Sequence, residues 1–408
     1  MRILIAPDAY KESMSATQAA EAIARGARRA AERDGKPIDL DLCPMTDGGA
    51  GFVDLFPVVG ERDFRTATVV GPLGEPVEAR FALGMVQARS SREDDDEEGE
   101  GEPGAEDLVY TAIIEMSSAA GLALVPPDRR DPERTTTFGV GQLILRAADA
   151  GAERVLVGLG NSATCDGGAG AAAALGVKFR DEFNNLIERP TGGDLLRIVD
   201  VDISFADPRV RRLDLGALCD VDSPMLGPEG TAPVFAPQKG ADDSAAIRLA
   251  SGLEHYAKVI RKRLKWGTDP YEEWTGAAGG LAWGLTQRWC DGSWNDLTTQ
   301  TLLKALGFAE RAARADLVIT GCGRVDETDL WGKAVGAVAE CAQGVGAPVL
   351  VLVGAPSEVT LRFFKSTAEQ RVITPPGMAR AKALALGPAL LEAAAEIAVA
   401  ERLAGAGP

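Results

Sequence analysis

The chain has 408 residues, 46% of them hydrophobic, and a formal net charge of −17, a length that holds two or three domains or one domain with a large insertion. Six scattered cysteines without a C-x-x-C pair argue against disulfide scaffolds and cysteine-based zinc sites, and the absence of a basic patch argues against nucleic acid. His255 is the only histidine, which excludes multi-histidine metal centres and points any general base to Asp, Glu or Lys.

Arg2–Pro7 reads as a buried strand, Thr17–Arg33 as a helix entered through Ser13 and Ser15, and Ile38–Cys43 as a second strand. Such a β-α-β unit predicts a parallel sheet. The opening residues are too short an apolar run for a signal peptide, and no stretch approaches the ~20 apolar residues that span a bilayer. A cytoplasmic protein without a membrane partner is the expectation. Arg65–Gly71 and Val77–Ala88 read as strands of an antiparallel or mixed segment. Residues 91–107 are low-complexity and acidic, and predict a mobile loop before a strand at Leu108–Met116. The segment Arg92–Asp107 alone carries −9 of the net charge, so the body of the chain is only moderately acidic.

Further along come a helix at Val140–Ala150, a strand at Arg154–Leu159, a glycine-rich turn, a helix near Gly167–Leu175 and a strand at Leu215–Val221. His255 lies in a long amphipathic helix, where a structural role is expected. Ala277–Gly284 is small and flexible in composition and reads as a domain crossing. From Thr299 the β/α rhythm returns. A helix runs to Ala313, followed by the strand Leu317–Thr320, a helix from Ala334, strands Pro348–Val353 and Arg371–Thr374, and a helix from Ala381 to about Leu403. Both chain ends therefore read alike. The expectation is an α/β protein in which residues 1–65 and 285–408 form one domain and 66–284 an inserted α/β domain.

Four strand-end turns carry polar chemistry: Ala6–Ser13 with Asp8 and Lys11; Pro44–Phe52 with Asp47 before Gly48 and Gly49; Gly158–Gly170; and Ile319–Lys333 with Gly321, Gly323, Arg324, Asp326 and Lys333. Glycines there let a backbone approach a ligand, and a following helix start favours phosphate. No Walker A pattern occurs, and Gly158-x-Gly160-x-x-Ala163 matches only the loose dinucleotide pattern.

The stretches IAPDAYKESMSA, PMTDGGAGF, EMSSAAGLALVPPDRRDPERTTTFGVGQLI, VLVGLGNSATCDGGAGAAAALGVKF, PMLGPEGTAPVFAPQKGA, GAAGGLAWG and ADLVITGCGRVDETDLWGKAVG carry a specific resemblance. Over nearly its whole length the chain resembles bacterial glycerate kinases of the first type. That resemblance implies a Rossmann-like parallel-sheet domain built from both chain ends and an inserted mixed α/β domain, with the active site in the cleft. It implies phosphorylation of D-glycerate by ATP with Mg²⁺, at the 2-hydroxyl, in a monomer or homodimer. It maps onto Asp8, Lys11 and Ser13; Asp47, Gly48 and Gly49; Ser162, Ala163, Thr164, Asp166, Gly167 and Gly168; Asp220 and Lys239; and Arg324, Asp326 and Lys333.

The chain departs from the family pattern at Ala50, Asn161, Cys165, Asp222, Ser223, Cys322, Thr328 and Asp329. These changes leave open a divergent enzyme for another hydroxy acid, or an inactive ligand-binding relative. In the kinase reading, Arg324 meets the substrate carboxylate, Lys11 and Lys333 neutralise phosphate oxygens, and Asp166 or Asp326 takes the hydroxyl proton. Asp47 or Asp8 holds Mg²⁺, and the turn Gly167–Gly170 cradles the ATP phosphates.

Overall fold

The structure is a computed structural model and describes residues 1–87, 108–219, 221–265, 267–287, 294–325, 334–356 and 368–405. The acidic segment 91–107 and the candidates Asp220, Asp326 and Lys333 lie outside the described residues. In chain order, the first elements are β1 (Arg2–Ile5), α1 (Ala16–Asp34), β2 (Asp39–Leu42), α2 (Phe52–Leu55), β3 (Val59–Val70), β4 (Pro76–Gln87) and β5 (Leu108–Glu115). Then follow α3 (Ser117–Ala120), α4 (Phe138–Asp149), β6 (Arg154–Gly158), α5 (Ala169–Ala174), β7 (Lys178–Arg180), β8 (Leu186–Ile187), β9 (Asp200–Asp202) and β10 (Asp214–Leu218). The remainder is α6 (Thr231–Phe235), α7 (Asp243–Leu264), α8 (Ala277–Leu285), β11 (Trp294–Leu297), α9 (Thr299–Ala305) and α10 (Phe308–Ala313), then β12 (Leu317–Val325), α11 (Ala334–Gly344), β13 (Val349–Pro356), β14 (Glu369–Val372) and α12 (Arg380–Leu403).

The protein is α/β, and its chain divides into two compact units, Met1–Gly51 with Thr298–Pro408, and Phe52–Leu297. The first is built on a five-stranded sheet in the order β14-β13-β12-β1-β2, parallel throughout. Ile3 and Ile5 of β1 and Leu350 and Leu352 of β13 are buried against an alanine face of α1. Ser15 caps α1 through Gln18 in a reciprocal capping box, and Gly35 closes it in the left-handed conformation. Gly26 lets α12 cross closely: a Cβ there would lie 2.2 Å from the Glu392 carbonyl oxygen. Arg25 and Arg29 both bind the Glu392 carboxylate, at 2.8 and 2.6 Å.

The second unit holds a six-stranded sheet, β11-β10-β6-β5-β4-β3, parallel from β11 to β5 and antiparallel from β5 to β3. A small antiparallel sheet, β8-β7-β9, adjoins it in sequence. His255 donates through Nε2 to the Ile198 carbonyl at 2.8 Å, as a structural histidine does.

Several expectations change. The strand read as ending at Thr320 continues to Val325, where Arg324 pairs with Ala355 of β13. Glycine makes this possible, because a Cβ on Gly321 would lie 1.9 Å from the Leu352 carbonyl oxygen. The stretch read as a flexible crossing is α8, and every residue from Ala277 to Leu285 is buried. The helix expected from Thr299 to Ala313 breaks at Gly307, which has φ +56°. One helix among the described residues, α12, is long and apolar enough to cross a membrane by length and composition, contrary to the expectation that no stretch would be. Its buried residues Leu391, Ala395, Ala398 and Val399 belong to the core beneath α1.

Candidate functional site

In the unit formed by both chain ends, the carboxyl ends of four parallel strands are tied together by backbone bonds. Ala6 N–H donates to the Ile319 carbonyl at 2.8 Å, Met45 N–H to Pro7 at 2.9 Å, and Asp8 N–H to Gly321 at 2.9 Å. The Thr320 hydroxyl donates to the Ala6 carbonyl at 2.8 Å. Tyr10 anchors the first turn to β13 by donating to the Leu352 carbonyl at 2.8 Å. Burial, with Cys322 and Asp8 nearby, pushes the Tyr10 phenol well above its ordinary range. Gly323 runs beneath this turn; a Cβ there would meet Tyr10 Cα at 3.2 Å and Lys11 N at 3.3 Å.

On this frame Lys11 Nζ lies 3.1 Å from Asp47 Oδ2, and Asp47 Oδ1 accepts from Gly49 N–H at 3.0 Å. Asp8 Oδ1 accepts from Ala9 N–H at 2.7 Å. Gly48, with φ +80°, and Glu12, with φ +67°, hold left-handed conformations in the two turns. The Arg324 side chain is exposed. Asp8, Lys11, Asp47, Gly48 and Gly49 therefore occupy neighbouring turns, with Arg324 on the strand beside β1. Ser13 is committed elsewhere. Pro388 in α12 has no N–H for the carbonyl four residues back, Leu384, and Ser13 Oγ donates to that oxygen at 2.7 Å.

In the second unit, β6 opens into a turn whose groups have distinct fates. Asn161 holds φ +59° and is exposed, while Ser162 is half-buried. Backbone bonds from Leu122 to Asn161 (2.9 Å) and from Ala163 to Ala120 (2.9 Å) fix the turn against the segment after β5. The Thr135 hydroxyl donates to the Ala163 carbonyl at 2.9 Å. Thr164 and Asp166 are wholly buried. Asp166 Oδ2 accepts from Thr137 N–H and Oγ1, both at 2.8 Å, and from Gly170 N–H at 3.2 Å; Oδ1 accepts from Gly168 N–H at 3.1 Å. Burial pushes its carboxyl up, against the opposing pull of these bonds.

Gly167 and Gly168 face protein. A Cβ on Gly167 would meet the Tyr256 ring at 3.0 Å, and one on Gly168 would meet Gly284 Cα at 2.9 Å. A Cβ on Gly170 would lie 2.2 Å from Thr136 Oγ1. The geometry thus packs this stretch onto α7 and α8 and leaves Asn161 and Ser162 as the turn's open members. Helix α5 starts at Ala169, six residues beyond Ala163, which does not fit the spacing of a dinucleotide fingerprint.

Lys239 reaches the same turn from the segment after α6. It is 3% exposed, and its Nζ donates to Ser162 Oγ at 2.8 Å and to the Thr164 carbonyl at 2.7 Å. Burial lowers its basicity, with Cys165 and Asp166 pulling the other way. Sequence reasoning missed two parts of this region: Thr137 and α8. Helix α8 contains three successive left-handed residues, Ala278, Gly279 and Gly280, and Gly279 accepts from Gly167 N–H at 3.0 Å. The pair Gly279-Gly280 in a run of small residues was the available signal for such a close approach.

Comparison with known proteins follows the same lines. The chain is 41% identical over 358 residues to the glycerate kinase of Bacillus subtilis (strain 168), covering 88% of this chain and 86% of that one. It is 38% identical over 354 residues to the glycerate 2-kinase of Escherichia coli (strain K12), covering 87% and 85%. A crystal structure assigned as a glycerate kinase 2 from Salmonella typhimurium LT2 superposes with a TM-score of 0.74 at 33% identity, covering 99% of each chain. The α/β fold and these likenesses make the chain a kinase. Residues 3–402 match the family model described as the glycerate kinase family, and the chain belongs to that family.

Proposed function

We propose that the protein transfers the γ-phosphoryl group of ATP to the 2-hydroxyl of D-glycerate with Mg²⁺. The observation that carries this reading is the Lys11–Asp47 pair, held 3.1 Å apart beside Asp8 at the ends of neighbouring parallel strands. Phosphoryl transfer needs positioned cations and metal-binding carboxylates more than covalent chemistry. In this reading Lys11 meets phosphate oxygens, and the exposed Arg324 offers a bidentate fork to a carboxylate.

Asp8 and Asp47 supply oxygen donors of the right kind for Mg²⁺. Among the described residues no three acidic, cysteine or histidine groups cluster as a ready metal cage. Mg²⁺ commonly binds through one or two carboxylates together with substrate phosphates. When bound, the ion neutralises charge on the transferring phosphoryl group.

Asp166 is fully engaged by its four donors, so its role in this reading is to hold the turn from Ser162 to Gly170. The proton acceptor is then Asp326, with Lys333 a second phosphate ligand. Ser162, Lys239 and Asp220 belong to ligand binding, with Gly48 and Gly49 allowing close backbone approach, while the buried Ala163 and Thr164 hold the turn that carries Ser162. The two compact units correspond in this reading to two domains.

The test is incubation with Mg-ATP and D-glycerate, with the product resolved by ³¹P NMR into 2- and 3-phosphoglycerate. Formation of 2-phosphoglycerate, abolished in Lys11→Ala and Arg324→Ala, supports the reading. Absence of turnover with D-glycerate overturns it, and nucleotide binding without turnover on any hydroxy acid would identify a ligand-binding relative.

A further inference from the structure

We infer that Ser162, Lys239 and Arg130 form a subsite for a ligand oxyanion, with Arg130 as a binding residue in its own right. The inference deepens the kinase reading and rests on its ligands being anions.

The first argument is the direction of the Ser162 hydroxyl. An ammonium can only donate, so the 2.8 Å contact with Lys239 Nζ makes Ser162 Oγ the acceptor. The hydroxyl hydrogen is left over. Among the described residues nothing accepts it, and the side chain is half-buried beside the exposed, left-handed Asn161. A hydroxyl fixed in this way is a committed donor, suited to an oxygen that only accepts.

The second argument is charge. Lys239 is 3% exposed, yet among the described residues it forms no ion pair; its two partners are a neutral hydroxyl and a carbonyl. The neighbouring Cys165 thiol stays protonated, pushed up to about 11 by burial. Asp166 directs its hydrogen bonds to Thr137, Gly168 and Gly170. Asp166 supports the charge only from a distance, without an ion pair; a buried cation bonded directly to neutral groups alone is costly, and a bound anion offsets that cost.

The third argument is Arg130. Its backbone lies against the turn that follows Lys239: a Cβ on Gly240 would meet the Arg130 carbonyl oxygen at 2.3 Å and Arg130 Cβ at 2.8 Å. Its neighbours are occupied, Arg129 by Glu75 at 3.2 Å and Asp131 by Glu133 N–H at 3.0 Å. The Arg130 guanidinium has no hydrogen bond or ion pair among the described residues, and its buried Nε has no acceptor. An arginine without a partner, a lysine bonded directly only to neutral groups and one committed hydroxyl donor thus come from three separate segments, with the Arg130 backbone against the turn after Lys239. A carboxylate or a phosphate group fits this donor set equally.

The experiment uses the full chain and the variants Ser162→Ala, Arg130→Gln and Arg130→Lys. Affinities for D-glycerate and for ADP are measured by calorimetry, and the thermal shift produced by inorganic phosphate is measured in parallel. Loss of one charge-assisted bond should weaken the ligand at this subsite about tenfold or more, while the other ligand changes less than twofold. Weakened D-glycerate identifies a substrate carboxylate, and weakened ADP identifies a nucleotide phosphate. Arg130→Lys keeps the charge without the fork and serves if Arg130→Gln misfolds. If both affinities stay within twofold of wild type in folded Ser162→Ala and in a folded Arg130 variant, the inference is overturned. Should the wild type bind neither D-glycerate nor ADP, the kinase reading fails separately. The subsite is then judged by phosphate alone: a shift of the same size in wild type and both variants overturns it, and one lost in the variants upholds it.

Discussion

Ser13 supplies the hydrogen bond that Pro388 removes from α12, donating at 2.7 Å to the Leu384 carbonyl. Ser13→Ala should therefore cost about 1 kcal/mol, the penalty for an unpaired, part-buried acceptor. In a Pro388→Ala background the helix regains its own N–H donor. The same Ser13→Ala change should then cost less than about 0.5 kcal/mol, giving a clear coupling in a urea double-mutant cycle.

Asp166 is the acceptor for four donors in a wholly buried site. Asp166→Ala should lower stability by about 3 kcal/mol or more, since several buried N–H groups and a hydroxyl lose their partner together. Urea unfolding reads this directly. A loss below 1 kcal/mol would show that the carboxylate is not the keystone of the turn.

Lys11 should behave in the opposite way. Its side chain is 59% exposed and its ion pair with Asp47 is open to solvent, so Lys11→Ala should change stability by less than about 1 kcal/mol. Loss of a cation facing the transferring phosphoryl group should lower kcat about a hundredfold or more. Unchanged kcat would remove Lys11 from the chemistry.

Gly279 and Gly346 separate backbone conformation from crowding. Both have positive φ, +73° and +77°, but a Cβ on Gly279 would lie 2.0 Å from the Thr164 carbonyl oxygen, whereas nothing lies within 4 Å at Gly346. Gly346→Ala should cost about 1 kcal/mol, and Gly279→Ala at least about 2 kcal/mol more. Because Thr164 also accepts from Lys239, Gly279→Ala should disturb ligand binding as well.

Cys43 and Cys165 are buried, and burial pushes both thiols from 9.0 to about 11. In the unfolded chain they ionise near the ordinary value, so between pH 9 and 11 the folded state holds more protons. Stability then falls as pH rises, by about 1.4 kcal/mol per pH unit for each thiol. Denaturation midpoints from pH 8 to 10.5 should show this slope, reduced in a Cys43→Ala/Cys165→Ala variant. The lowered basicity of Lys239 works with the opposite sign below its ordinary value.

Where local chemistry decides structure, the sequence is readable. Of the two start signals read for α1, Ser15 caps the helix and Ser13 does not; Gln18 and Gly35 complete its two ends in the structure. The mixed strand pattern from Arg65 to Met116 likewise becomes β3, β4 and β5. The rest depends on partners distant in sequence. Nothing near Asp166 announces Thr137, 29 residues away, as its main donor. Ala277–Leu285 looks flexible until the Gly167–Gly168 backbone is laid against it. Strands β7, β8 and β9 have two or three residues each, too few to show a period. At the candidate site the charged turns were visible, but the division between open groups such as Ser162 and buried scaffolding such as Asp166 was not.

The extension of β12 bears on how Arg324 would engage a ligand. Its backbone is registered on Ala355 by the sheet ladder, and the Cys322 thiol donates to its carbonyl at 3.1 Å. The main chain beneath the guanidinium is thus set before any substrate arrives. Capture then has to freeze only the side-chain torsions, at most about 2 kcal/mol of rotamer entropy, and spares the larger toll of ordering a loop.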